Sequence, residues 1–243
     1  SRCHAGRTRR PVECHARCLP QCIDHRSRHT GLGSDAQKKT IIASERDPWV
    51  RVQFALAQHA VYADDLVVLD EFGSNLNMTR RYARAARGQR AVDRIPRNTP
   101  TNTTTISSLS VDGIGPSMQF LGGLHAALFE TYIETVLGPS LRAGQIVILD
   151  NLHAHKRSRV RELLAARGCT LLYLPPYSPD YSPIELAFAK IKACLRRVAA
   201  RSRDALTDAI ADALPLISAV EARAFFRHCG FRFRPDLAQW FCS

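Results

Sequence analysis

Ile146-Val147-Ile148-Leu149-Asp150 is a run of four apolar residues, three of them β-branched, that ends in a carboxylate. With no polar residue alternating through it, the run reads as a strand buried on both faces. Leu66-Val67-Val68-Leu69-Asp70 repeats the pattern, and Thr170 to Leu174 is a third buried run, stopped by Pro175-Pro176. Between and after these runs the pattern turns helical. Lys156 to Arg167 reads as a helix closed by Gly168. Ser182-Pro183-Ile184-Glu185 starts another, with Ser as N-cap, Pro at the first helical position and Glu at the third as in a capping box; it continues to about Ala199. Strands followed by strand-helix-strand-helix predict an α/β domain with a mixed sheet flanked by helices.

Open α/β sheets gather ligands at the carboxyl ends of their strands. If strands 67–69 and 146–149 are neighbours, Asp70 and Asp150 face each other there. Two close carboxylates repel unless a cation lies between them, and oxygen-only ligands suit Mg²⁺ or Mn²⁺. Glu185 is a third candidate ligand: 34 residues separate it from Asp150, enough for one helix, one strand and a Pro-rich return to the same sheet edge. Each acid also has a plain structural reading. Asp70 terminates a strand, Asp150 caps a turn, and Glu185 completes a capping box. Glu71 points to the opposite face from Asp70 if the strand continues, which makes it a candidate to support the acids from behind. Asn151 and His155, close after Asp150, are candidates of the same kind. Tyr177 and Tyr181 either stack on bases or pack, and packing is the simpler reading.

Elsewhere, Ser44 to Asp47 lead into Pro48, a helix start whose expected buried face is Trp49, Val52, Phe54, Leu56 and Ala60. Residues 79–97 hold seven Arg around Gly88 and read as a charged hairpin or a pair of edge strands. Thr103 to Val111 is a strand ending at the Asp112-Gly113 turn, Met118 to Leu124 another, Glu130 to Leu137 a helix, and 203–229 two more helices. Residues 1–33 differ. They hold Cys3, Cys14, Cys18, Cys22, four His and seven Arg without hydrophobic periodicity, which predicts an irregular basic tail. Cys14, Cys18 and Cys22 with His25 and His29 lack the long loop between ligand pairs of common zinc fingers, and out-of-frame sequence would look the same. The expected division is this tail, a helical linker over 34–62, the α/β domain over 63–234 and a C-terminal tail over 235–243.

The 243 residues are 45% hydrophobic, enough for a core, and carry a net charge of +12 with 29 Arg among 34 basic residues. Such charge predicts an acidic partner, nucleic acid above all, and Arg suits phosphate. The bland alternatives are a solvated basic surface and a GC-rich gene. The clusters 80–97, 156–161 and 190–203 offer Arg80, Arg81, Lys156, Lys190, Lys192, Arg196 and Arg197 as phosphate contacts. Positions 190, 197 and 201 share one helix face, and 192, 196 and 203 more loosely another. No apolar stretch approaches the roughly 20 residues of a membrane span, and no signal core opens the chain, so a cytoplasmic protein with reduced cysteines is expected. No P-loop is present, so no use of ATP is expected.

Three stretches resemble the catalytic blocks of mariner-like DDE transposases, in particular the bacterial insertion-sequence branch: Val68-Leu69-Asp70-Glu71-Phe72-Gly73, Leu149-Asp150-Asn151-Leu152-His153-Ala154-His155-Lys156, and Leu174 through Glu185 with its Pro-Pro-Tyr-Ser-Pro-Asp-Tyr-Ser-Pro-Ile core. The resemblance spans about residues 31–234, and the 34-residue spacing is characteristic of the family. It implies a ribonuclease H-like fold, with Asp70, Asp150 and Glu185 holding two Mg²⁺ or Mn²⁺ ions. It implies hydrolytic cutting of transposon ends and joining of the freed 3′-hydroxyl to target DNA, typically at TA, by a dimer that synapses two ends on the bacterial nucleoid. His155-Lys156 matches the family's His-Lys pair. Family members carry helix-turn-helix modules ahead of the catalytic domain; nothing comparable precedes residue 31, so that module is expected to be missing or degraded. Two other readings stand beside this one. The first is a truncated or catalytically silent relic that only binds DNA. The second is another ribonuclease H-like nuclease acting on RNA–DNA hybrids, which the Pro-rich third block disfavours.

Overall fold

Leu66, Val67, Val68 and Leu69 are all buried because their strand lies inside a sheet with a helical layer on each face. The computed structural model describes residues 42–151 and 153–235. The tail over 1–33 with its Cys/His cluster, the start of the linker and the chain from 236 lie outside the described residues. The elements are α1 (Pro48–His59), β1 (Leu66–Ser74), β2 (Thr103–Ser110), β3 (Gly113–Ile114), β4 (Met118–Leu121), α2 (Ala126–Thr131), β5 (Ile146–Leu149), α3 (Ser158–Ala165), β6 (Thr170–Tyr173), α4 (Pro183–Val198), α5 (Arg203–Ala213) and α6 (Ala219–His228).

The sheet runs β3-β2-β1-β5-β6, with β4 also on β2. β1 and β2 are antiparallel, whereas β1, β5 and β6 are parallel, so the sheet is mixed. β5 and β6 are joined by the α3 crossover, and β1 reaches β5 through β2, β3, β4 and α2, so each parallel pair has the long connection it requires. Alternation along β1 and β5 feeds two cores. Leu66, Val68, Phe72 and Ile148 pack under α4, α5 and α6 with Ile184, Phe188, Ile210 and Phe226. Val67, Leu69, Val147 and Leu149 pack on the other face with Phe129, Ile133, Val160 and Leu164.

Several expectations are revised. The helix expected over 130–137 begins earlier, at the N-cap His125, and widens into π-helical turns over Tyr132–Leu137. Thr131 and Thr135 there bond back to the carbonyls of Ala127 and Thr131, which weakens regular α geometry. No strand forms between Ser74 and Thr103: the Arg-rich segment is an exposed, irregular excursion that pairs with no strand among the described residues. Arg201 ties down the root of this excursion, donating to the carbonyls of Leu76 and Met78 at 3.0 Å each. Arg201 and Arg203 are not on α4, which ends at Val198 with Ala199 in the left-handed conformation. Of the buried face expected for α1, only Phe54 is buried. Phe54 and Gln58 are buried, and Gln58 donates to the Cys229 carbonyl at 2.7 Å, while Trp49, Val52 and Leu56 are exposed.

Candidate active site

The β1–β5 register pairs Leu66 with Ile146 and Val68 with Ile148, so two residues on it sets Asp70 beside Asp150. Asp70 and Asp150 have the parity of Val68 and Ile148 and therefore open towards α4. Glu185 stands in the first turn of α4, whose Ile184 and Phe188 lock onto that face of the sheet. All three acids line one cleft of about 520 Å³, walled by Asn151, Tyr177, Lys192 and the Pro-rich return from β6. The capping-box reading of Glu185 does not hold: Ser182 flanks the helix start but makes no side-chain bond to it.

The electrostatics of the cleft are those of crowded carboxylates. Burial above all, then the charges of Glu71, Glu185 and Asp150, lift the Asp70 carboxyl from 3.8 to about 8, although the Glu71 amide donates to it at 2.8 Å. Burial likewise raises Glu71, against the pull of His155. Three converging carboxylates, one of them too crowded to ionise freely, make an oxygen donor set that fits a hard divalent cation. Among the described residues no three acid, His or Cys side chains are drawn into a closed ligand cluster.

A family model described as DDE superfamily endonuclease matches residues 65–207, more than half of the chain and inclusive of all three acids. The chain belongs to the DDE superfamily of endonucleases. Solved structures share its fold. The Mos1 transposase paired-end complex with the left transposon end superposes with a TM-score of 0.64 at 18% identity, over 82% of this chain and 63% of that one. The Mos1 mariner paired-end complex with Mn gives 0.64 at 17%, over 82% and 63%. The Mos1 catalytic domain with raltegravir and Mn gives 0.56 at 14%, over 79% and 90%. The DDE chain thus spans less than two thirds of the length of the transposase in the paired-end complexes. No curated protein sequence matches significantly. The mixed sheet with helices on both faces is the ribonuclease H-like fold of DDE transposases.

Behind the acids of this DDE chain lies His155, 1% exposed and stacked on Phe129 at 4.2 Å between ring centroids. Its Nδ1 is 2.5 Å from Asp150 Oδ1, and its Nε2 is 3.9 Å from Glu71 Oε2. That Nε2 and that Oε2 are both buried without a hydrogen-bond partner among the described residues. Tyr173 Oη donates to the His155 carbonyl at 2.9 Å, fixing the backbone as well. Asn151 stands at the cleft wall, next to Asp150.

The basic candidates separate. Arg80, Arg81, Lys192 and Arg196 line one groove of about 450 Å³, and Lys192 also lines the acidic cleft, so groove and cleft adjoin. Lys190 and Arg197 lie on the opposite side of α4, in a recess with Leu216. Lys190 is engaged there, donating to the Leu216 carbonyl at 2.8 Å and to Glu221 at 2.5 Å, which removes it from the cleft-side set. Lys156 is exposed beside the 3₁₀ turn that carries His155. Tyr181 packs, on Phe54 at 5.0 Å and under Arg51 at 4.3 Å. Tyr177 is exposed on the cleft, in left-handed backbone at φ 54°. The bonds from Arg46 and Arg51 to Asp180 have no local signal in the sequence, because more than a hundred residues separate the partners.

Proposed function

We propose that the chain is the catalytic domain of a transposase that cuts the DNA ends of an insertion element and joins the freed 3′-hydroxyls to target DNA. The observation that carries this reading is the convergence of Asp70, Asp150 and Glu185 on one cleft, with Glu185 not used as a cap. Asp70, Asp150 and Glu185 would hold two divalent ions, Mg²⁺ or Mn²⁺, which would supply charge stabilisation to the scissile phosphodiester. Asp70 and Asp150 are held edge to edge by the β1–β5 register, and Glu185 closes the set from α4. His155 and Glu71 orient Asp150 from behind, and the Glu71 amide orients Asp70. Asn151 borders the same wall. Arg80, Arg81, Lys192 and Arg196 run the DNA backbone past the cleft, with Lys156 as an outlying phosphate contact. The Pro-rich third block supports a reading of the chain as one of the bacterial insertion-sequence branch of mariner-like elements. With that branch go a TA-containing target, a dimer that synapses two ends, and action at the nucleoid.

The test is cleavage of end-labelled duplexes carrying the element's ends in Mn²⁺, with an RNA–DNA hybrid as control. Wild type is expected to cut the duplex ends, while Asp150→Asn folds normally and cuts nothing. Robust cleavage by Asp150→Asn, or cutting confined to the hybrid, sinks the reading.

A further inference from the structure

Asp180 is held by two arginines from the segment at the start of α1. Arg51 Nη1 and Nη2 donate to Asp180 Oδ1 and Oδ2 at 3.1 and 2.7 Å, a two-pronged fork, and Arg46 Nη2 adds a bond to Oδ1 at 2.8 Å. The carboxylate is half exposed, but the side chains of Arg46 and Arg51 are only 21% and 18% exposed. The Arg51 guanidinium lies over the Tyr181 ring, and that ring packs on Phe54 of α1.

Ion pairs at half-exposed carboxylates add little stability, and α1 is already anchored by Phe54 and Gln58. The clamp contributes position instead. Asp180 lies in the 3₁₀ turn Pro179–Tyr181, closed by the Ser182 amide bonding the Pro179 carbonyl at 3.0 Å. Tyr181 bonds the Ser178 carbonyl at 3.1 Å, and Pro179 and Pro183 remove two backbone freedoms. The link from Asp180 to Glu185 is therefore short and stiff. The first turn of α4 has no side-chain cap to set its own entry. Ile184 and Phe188 seat the helix on the sheet, and the entry of its first turn is set by whatever holds the turn before it.

We propose that Arg46 and Arg51 are positioning residues for Glu185: by clamping Asp180 they fix where the first turn of α4 presents its carboxylate to the cleft. The inference rests on the reading of Glu185 as a metal ligand. It makes α1 a control point of the metal site, reached through Asp180 and Tyr181. A ligand displaced by about 1 Å degrades a site by orders of magnitude, so the clamp matters to the site far more than to stability.

The test is Mn²⁺ binding to the full chain, read from the electron paramagnetic resonance of the free ion, beside thermal unfolding in EDTA. Glu185→Gln sets the level expected for a lost ligand. Arg51→Ala and Asp180→Asn are expected to weaken Mn²⁺ binding about tenfold while unfolding within a few degrees of wild type. Arg51→Lys keeps the charge and the stem without the fork, and is expected to fall between; it carries the test if Arg51→Ala does not fold. Wild-type Mn²⁺ affinity in Arg51→Lys and Asp180→Asn overturns the proposal, whatever happens to their melting temperatures. If Glu185→Gln binds weakly and the clamp variants bind normally, only the clamp fails. If Glu185→Gln itself binds like wild type, the ligand reading falls and takes the clamp with it.

Discussion

Replacing Asp70 by Asn removes the acid that its neighbours crowd most. In the metal-free protein burial, reinforced by Glu71, Glu185 and Asp150, raises its carboxyl from 3.8 to about 8. The folded state thus holds this proton more tightly than the unfolded chain does. The contribution of the group to stability is full below pH 3.8 and is lost progressively as pH rises through about 8. At pH 7 the loss is about 4 kcal/mol, taking about 1.36 kcal/mol per pH unit travelled. Asn has no proton to lose, and its amide oxygen can still accept the Glu71 N–H. Asp70→Asn in EDTA is therefore expected to be more stable than wild type at pH 7, by up to about 4 kcal/mol, and to converge with it near pH 4. Urea unfolding from pH 4 to 9 measures this directly. Calorimetric titration with Mn²⁺ in two buffers adds a proton count: close to one proton released by wild type at pH 7 and few at pH 9. Parallel stability profiles for wild type and Asp70→Asn would refute the crowding of these carboxylates.

The remaining expectations are more local. His155→Ala releases Asp150 from its buried partner and is expected to weaken Mn²⁺ binding about tenfold or more; unchanged affinity in a folded variant removes His155 from the supporting role. Ser218 forms a complete capping box with Glu221 at the start of α6, whereas Ser182 makes no side-chain bond at α4. Ser218→Ala is expected to cost about 1 kcal/mol, and Ser182→Ala less than about 0.5 kcal/mol, with thermal unfolding deciding the order. Lys192→Ala and Arg196→Ala are each expected to reduce the salt slope of DNA binding by about one. Lys190→Ala is expected to leave that slope alone, because its ammonium is engaged by Leu216 and Glu221; fluorescence anisotropy across a salt series separates the two sides of α4.

The central strands are legible because burial on both faces leaves a continuous apolar run at Leu66 to Leu69 and Ile146 to Leu149. Their adjacency, and so the meeting of Asp70 with Asp150, follows from parallel pairing that the crossover topology favours. Helix α1 shows where such reasoning stops. Trp49, Val52, Phe54, Leu56 and Ala60 are the apolar candidates, yet the core takes only Phe54 of them and adds Gln58. Spacing identifies an apolar face without saying what lies against it. The Ser-Pro-Ile-Glu start of α4 is read correctly as a helix boundary but not as a box, because the hydroxyl that would complete it makes no bond to the helix. The Arg-rich segment between β1 and β2 carries turn signals and no pairing partner, and pairing is a property of two segments rather than of one.

One strand sends consecutive acids to different places, and that binds the chemistry of the site to its register. Asp70 lies opposite Ser107 and Glu71 opposite Ile106. Ile106 belongs to the core beneath α2 and α3, where Phe129 also stacks on His155. Glu71, which also borders the cleft, is turned towards that histidine, while Asp70 faces α4 across the cleft. A slip of one residue in β1 would exchange them. Glu71 would face α4 with a longer side chain, and Asp70 would face His155. Seven paired residues from Val68 to Ser74 resist such a slip, and Phe72, packed on Phe188 at 4.7 Å between ring centroids, is the one large apolar side chain of β1 beyond Asp70. Phe72 therefore anchors the parity of the site as well as the core. The same aromatic contact holds β1 to α4, so the strand that supplies Asp70 and the helix that supplies Glu185 are locked together two residues from one acid and three from the other.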